Sequence, residues 1–359
     1  MLTQHNDNSR TGLNPNETAL NTSNINTTQF GKLFSLPVDG QVYAQPLYVP
    51  NVVFPGNVTH NVVIVATQND SVYAFDADSG SGTPLWTASL VDWAHGGVPG
   101  ETPLLNAPST LGCTAINPEV GIISTPVIDV TTLPTPTIYV VAKSVSVSTY
   151  MNRLHALDIT TGNEKAQGPV VISAAVSGTG DASQNGTLTF NPQYEFNRPG
   201  LLLLNGNIYI AFASVCYPTT FHGWVFAYDT ASFNQKSVFA TTPNGVRGGI
   251  WTSGAGMSAD SSGFIYAATG DGTYDTTIPI TDFGDAILKL STSIDGQRNG
   301  SLNLSDYFVP YDQANLLTDD TDLGSGGVLL LPDQTGGNHP HELVQAGKEG
   351  RIYLIDRDG

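Results

Sequence analysis

Arg153-Leu-His-Ala-Leu-Asp158 is a short apolar segment that ends on an acid, and its pattern recurs along the chain. Ser71-Val-Tyr-Ala-Phe-Asp76 precedes it, and Trp224-Val-Phe-Ala-Tyr-Asp229 and Arg351-Ile-Tyr-Leu-Ile-Asp356 follow. Asp285-Ala-Ile-Leu-Lys-Leu-Ser291 keeps the pattern with Ser in place of the acid. The closing residues lie 82, 71, 62 and 65 positions apart, so one module is repeated five times.

Working outward, each of these segments follows another apolar run, at 62–67, 138–143, 208–214, 265–270 and 343–348. A still earlier run opens near Gly or Pro, at Gln45-Pro46, 121–126, Arg198-Pro199-Gly200, Ser253-Gly254 and 324–327. Outer segments such as Leu85-Trp-Thr-Ala-Ser-Leu90 and Lys236-Ser-Val-Phe-Ala240 close most modules. Four antiparallel strands repeated radially predict an all-β chain, a β-propeller of four-stranded blades. The runs are continuously apolar, as strands are when both faces pack on neighbours. The acids that end the third strands, Asp76, Asp158, Asp229 and Asp356, are expected to accept turn N–H groups as Asx-turns.

The organisation predicted is an N-terminal arm over 1–29 and a propeller over 30–359. Its modules fall at about 42–90, 121–175, 199–240, 251–308 and 324–359, with 30–37 a candidate closing outer strand. A five-bladed ring closed by that strand is one reading, and part of a larger ring is the other.

Composition agrees with strands and turns. Charged residues are 12 % of the 359, against roughly 25 % in an average soluble domain, while there are 38 Gly and 22 Pro. No amphipathic 3.6-residue pattern outlasts about two turns. A net charge of −18 with only 13 Lys and Arg excludes a phosphate-binding surface, so no nucleic-acid partner is expected. The longest apolar stretch, 201–215, is broken by Asn205, Gly206 and Asn207 and is too short to span a bilayer as a helix. Eight Asn-x-Ser/Thr sequons, at Asn16, Asn21, Asn26, Asn57, Asn69, Asn185, Asn299 and Asn303, fit a secreted glycoprotein in an extracellular or periplasmic setting.

Ala74-Phe-Asp76-x-x-x-Gly80 and Ala156-Leu-Asp158-Ile-Thr-Thr-Gly162 resemble the repeat of the pyrroloquinoline-quinone (PQQ) propellers. That family includes quinoprotein alcohol dehydrogenases and non-enzymatic scaffolds. Four stretches, 5–12, 38–46, 153–158 and Ala346-Gly-Lys-Glu-Gly350, resemble more closely a group of uncharacterised secreted PQQ-like repeat proteins. Members of that group run longer than this chain. The sequence also departs from the enzymes. Their repeats place a blade-docking Trp four residues after the Gly; Trp86 is a displaced version and Ala166 replaces it in the second module. The adjacent cysteine pair over the cofactor is missing.

In a propeller, the inter-blade loops and the loops joining second to third strands emerge on one face, around the central funnel. That rule gathers Gln45, Glu119, Asn197, Arg198 and Trp251 from the first kind, and Asn69, Lys143, His222, Asp271, Lys348 and Glu349 from the second. A PQQ site would need cations for its carboxylates, an aromatic platform, a Ca²⁺ held by hard oxygens and a carboxylate base. Glu119, Asn197, Arg198, Trp251 and Lys348 are the candidate cofactor-binding residues, with Asp271 or Glu119 the base. For a metal, the acid-dense Asp320 and Asp322, with Asp271 and Asp275, are weak candidates against a solvated acidic loop; His339-Pro-His341 reads as a plain loop. Cys113 and Cys216 fall on the same face and either form a disulfide or remain buried thiols.

The function expected is a secreted, non-catalytic binding or scaffolding propeller that recognises protein or glycan through its funnel face. The alternative is a PQQ- and calcium-dependent dehydrogenase of alcohols or sugars.

Overall fold

The computed structural model describes residues 1–105, 116–166, 168–214, 220–293 and 300–359. The repeat becomes a series of five antiparallel sheets. The first joins β1 (Leu47–Phe54), β2 (Val58–Ala66), β3 (Ser71–Asp76) and β4 (Trp86–Ser89) in sequence order. In the second, β7 (Val127–Asp129), β8 (Thr137–Ser146), β9 (Thr149–Asp158) and β10 (Val170–Val171) repeat that order. Here the far end of β8 also pairs with β5 (Glu101–Leu105), which carries β6 (Glu119–Val120). A small hairpin, β11 (Ala175–Ser177) and β12 (Thr187–Thr189), stands apart. The third sheet is β13 (Leu202–Leu204), β14 (Asn207–Phe212), β15 (Trp224–Asp229) and β16 (Gln235–Ala240). The fourth is β17 (Ser258–Ala259), β18 (Phe264–Ala268), β19 (Ile287–Ser291) and β20 (Asn303–Phe308), and the fifth has three strands, β21 (Leu329–Leu330), β22 (Glu342–Ala346) and β23 (Ile352–Asp356). A short helix, α1 (Gln313–Asp319), links the fourth sheet to the fifth.

The continuous apolar runs are explained by where alternate side chains go. In β8, Ile138 and Val140 join a core with Ile64, Val72 and Trp86 of the first sheet, whereas Tyr139 and Val141 face Ile208 and Phe226 of the third. In β14, Tyr209 and Ala211 turn the other way, onto Ile265 and Leu288. Tyr266 and Ile287 then meet Leu330 and Leu343 of the fifth sheet. A strand with period two and a core on each side has no polar face. Among the described residues the fifth sheet packs on the fourth, and Ile352 and Leu354 of β23 are exposed.

The Asx expectation is borne out at each acid: Asp76, Asp158, Asp229 and Asp356 accept from the backbone N–H of Asp78, Thr160, Ser232 and Asp358 at 2.8–2.9 Å. Trp86 docks one sheet on the next. Its indole N–H donates to Ile159 O at 2.8 Å, and its ring lies so close to Gly162 that any Cβ there would overlap it.

Two placements differ from the sequence reading. The stretch 31–37 forms no strand; Phe34 and Pro37 rest beside Gly80 and Gly82 of the first sheet's last turn, so this segment does not supply an outer strand to the fifth sheet. Lys143 is not in a loop but inside β8, opposite Asn152, because the β8–β9 hairpin extends to the turn at Val147 and Ser148.

The N-terminal arm is built into the centre. Leu2 O accepts from Ile128 N–H, Asn8 O from Ala259 N–H and Ser9 O from Leu330 N–H, and the Asn8 amide donates to Leu203 O. Met1 and Tyr48 exchange backbone hydrogen bonds as well. The innermost strands of all five sheets therefore pair with this one segment.

Candidate functional site

Where the inner strands begin, a pocket of about 360 Å³ opens, lined by Gln4, His5, Tyr43, Gln45, Arg198 and Ser253 among others. The arm thus supplies part of its wall. His5 N–H donates to the Gln45 side chain (3.1 Å), and Gln45 N–H to the Thr125 hydroxyl (2.9 Å). Arg198 donates to Ile123 O (2.7 Å) and Ser253 O (3.3 Å), and its guanidinium lies 5.8 Å from the centre of the Tyr43 ring. Gly254 has φ of +88°, and a Cβ there would collide with the Arg198 guanidinium, so glycine is required for two reasons. Burial lowers the Arg198 pKa, yet an arginine stays charged at any physiological pH. Trp251, half-buried, packs against the apolar cluster that includes Leu104, Val120, Ile123 and Phe196.

A second group of predicted residues converges elsewhere. Asp271, Asp320 and Asp322 bring carboxylate oxygens within 4.8 Å of one another. Lys348 pairs with two of them, its ammonium 2.5 Å from Asp322 and 3.0 Å from Asp320. Asp322 also accepts from Asp271 N–H (2.8 Å), and Arg247 approaches Asp271 at 3.8 Å. The carboxylates raise the Lys348 pKa against the opposing effect of burial.

The remaining predicted residues stand apart. Glu119 lies in β6 opposite Leu105. The Asn197 amide donates to Pro199 O and Ala211 O, which fixes a backbone turn. Asp275 accepts from Thr281 and Asp282 N–H groups; burial pushes its pKa up, but these bonds outweigh that and hold it low. His339 and His341 each pair with an aspartate, Asp356 at 2.5 Å and Asp358 at 2.7 Å. Cys113 and Cys216 lie outside the described residues.

Sequence reasoning placed Lys143 in a loop and passed over the buried acid Asp285. Lys143, pushed down to about 7 by burial, donates to the backbone carbonyls of Pro192 and Glu195, and its ammonium stands 4.3 Å from the Phe196 ring centre. Asp285 is fully buried before β19, with its Oδ1 accepting from Leu323 N–H (3.1 Å). Burial, and then the neighbouring Asp322, raise it to about 7. Repeat alignment carried a signal for it, because Asp70 holds the equivalent place before β3, also with positive φ and full burial.

Asp285 gives a pH test. Its native pKa lies above the unfolded value of about 3.9, so the folded state keeps a proton that the unfolded state loses. Its contribution is therefore complete below about pH 4 and is lost as pH rises to about 7. Asp285→Asn keeps the acceptor and tolerates the left-handed backbone. The variant is expected to match the parent near pH 4 and to exceed it by about 4 kcal/mol above pH 7, from three pKa units. Urea unfolding across that range checks this; a pH-independent difference would contradict it.

No family model matches the chain, and no curated protein matches it. Solved structures do. A quinohaemoprotein alcohol dehydrogenase from Pseudomonas putida HK5 aligns with a TM-score of 0.52 at 17 % identity, covering 90 % of this chain and 41 % of that one. The quinohaemoprotein alcohol dehydrogenase of Comamonas testosteroni gives 0.53 and 17 %, over 89 % and 42 %. A europium-containing methanol dehydrogenase gives 0.51 and 15 %, over 87 % and 48 %. The fold is therefore similar to the quinoprotein β-propeller, and the chain spans less than half the length of these structures. No helix among the described residues is long and apolar enough to cross a membrane.

The residues present do not fit PQQ with Ca²⁺ as one site. Among the described residues, Arg198 is the one arginine or lysine lining the axial pocket, it already donates to two backbone carbonyls, and no carboxylate lines that pocket. The carboxylates that could hold Ca²⁺ lie in the other group, around Lys348.

Proposed function

We propose that the chain is a non-catalytic binding unit of a secreted or periplasmic quinoprotein-type propeller, part of a larger ring, and that its funnel-face pocket takes a protein loop or a glycan end. The observation that carries this reading is the axial pocket itself. It offers the Tyr43 ring, the exposed His5 imidazole and polar backbone, and its cation is committed to structure. A concave site with an apolar wall and a few converging polar groups is the usual form of a ligand site. The sequons and the low charge support the compartment.

Calorimetric titration of PQQ with Ca²⁺, in parallel with a glycan and peptide panel, tests the reading. The expected result is no PQQ binding, and a panel ligand weakened by about tenfold or more in Tyr43→Ala, the cost of losing an aromatic contact of 1.4 kcal/mol. Micromolar PQQ binding lost in Arg198→Ala would instead establish the dehydrogenase reading, which the likeness to alcohol and methanol dehydrogenases favours.

A further inference from the structure

A cavity lies away from the funnel face. It occupies about 500 Å³ between the fourth and fifth sheets, where the turns joining first to second strands emerge, and so opens on the opposite face. A smaller cavity of about 240 Å³ shares Tyr266, Lys289 and Arg357 with it, so the two form one cleft. Volumes of this size are those of small-ligand sites.

Its chemistry is set by Arg357. This side chain is only 6 % exposed, and its guanidinium reaches Asp260 and Asp333 at 3.4 Å each, beyond good hydrogen-bonding distance. Its Nε–H has no partner. A buried charged donor left unmatched carries a desolvation cost that a bound group would relieve. Lys289, beside it, is held by Arg357 O and by the face of Phe264, at 4.7 Å from the ring centre. Asp260 accepts from Phe264 N–H and from the Tyr266 hydroxyl. Asp333 is exposed at the mouth, and Asp358 is bound to His341.

Charge narrows the ligand. Four carboxylates, Asp7, Asp260, Asp333 and Asp358, outnumber the permanent cations Lys289 and Arg357 along the lining, which disfavours an anion. The buried guanidinium at the floor disfavours a cation. A hydroxyl accepts from the guanidinium Nη–H groups, which reach Asp260 and Asp333 only at 3.4 Å, and donates to either carboxylate without adding charge. Several hydroxyls on one rigid frame satisfy the cleft at less entropic cost than separate waters. We propose that this cleft binds a neutral polyhydroxylated ligand, a saccharide of one or two rings. The site is separate from the funnel-face pocket and does not depend on the function proposed for it.

Ligand-observed saturation-transfer NMR tests this, with glucose, maltose and cellobiose as neutral probes and glucuronate and glucosamine as charged ones. Ser262 lies on the exposed turn over the cleft, so Ser262→Trp fills the cavity without touching a core. The expected result is millimolar or tighter binding of a neutral probe, weakened by about tenfold or more in Ser262→Trp and in Asp333→Ala, and unchanged in Arg198→Ala. No transfer to any neutral probe from folded protein overturns the proposal. Equal or tighter binding of a charged probe overturns the charge argument. Loss in Arg198→Ala with retention in Ser262→Trp moves the ligand to the funnel face, and so overturns the proposal while supporting the function given above.

Discussion

Arg10→Met is expected to lower the unfolding free energy by about 3–5 kcal/mol, as removal of a buried, fully hydrogen-bonded charge does. The guanidinium donates to Met257 O (2.8 Å), Thr3 Oγ1 (2.8 Å), Gln4 O (2.8 Å) and Leu201 O (3.2 Å). It is 2 % exposed, and burial lowers its pKa to about 10, so it remains charged at neutral pH. The thioether fills much of the same space but leaves those oxygens without a donor. Because Arg10 joins the arm to the inner strands of the third and fourth sheets, the loss falls on the segment that pairs with all five. Urea unfolding measures the drop. Hydrogen exchange at Ile128, Ala259 and Leu330, whose N–H groups donate to Leu2, Asn8 and Ser9, is expected to accelerate with it. Arg10→Lys should rescue little, since a point ammonium cannot span the fork. An unchanged midpoint for Arg10→Met would show that the arm is dispensable. Gly256 belongs to the same arrangement: a Cβ there would stand 2.6 Å from the Arg10 Nη2.

Glu101→Ala is expected to cost a similar amount, about 3–5 kcal/mol, because it strands a buried arginine. The Glu101 carboxylate, with its side chain 0 % exposed, pairs with the Arg153 guanidinium through both oxygens and also accepts from the Ser144 hydroxyl (2.5 Å). Burial pushes its pKa up, but Arg153, Ser144 and the Val98 N–H together hold it below the usual carboxylate range. The pair ties β5 to the β8–β9 hairpin. Glu101→Leu with Arg153→Met removes both charges and is expected to recover much of the loss, since neither partner is left unmatched. Chemical denaturation of the two single variants and the double variant measures the coupling. A cost below about 1 kcal/mol for Glu101→Ala would place the pair with exposed ion pairs.

The five modules were legible because they rest on local chemistry. A β-strand between two cores must be apolar at every position, and a strand that ends in a turn benefits from a short acceptor; both leave marks within six residues, as in Arg153-Leu-His-Ala-Leu-Asp158. The hairpin that carries Lys143 was less legible, since polar Lys143, Ser144 and Asn152 look like loop residues until Glu101 and the carbonyls of Pro192 and Glu195 are brought to them. The candidate sites were legible only as a pool of residues. Sequence placed Arg198, Asp271 and Lys348 on one face, but not which would share a pocket, because that depends on the rotation of each sheet against the next.

The sequence by itself therefore determined the repeating unit, its strand order and its turns, all fixed by neighbours a few positions apart. The tertiary structure alone decided that Arg198 meets Tyr43 while Lys348 meets Asp320 and Asp322, that the polar arm would fill the centre, and that Arg357 would floor a cleft on the opposite face. Those contacts join residues far apart in the chain, and a buried charge takes whatever partner the packing delivers.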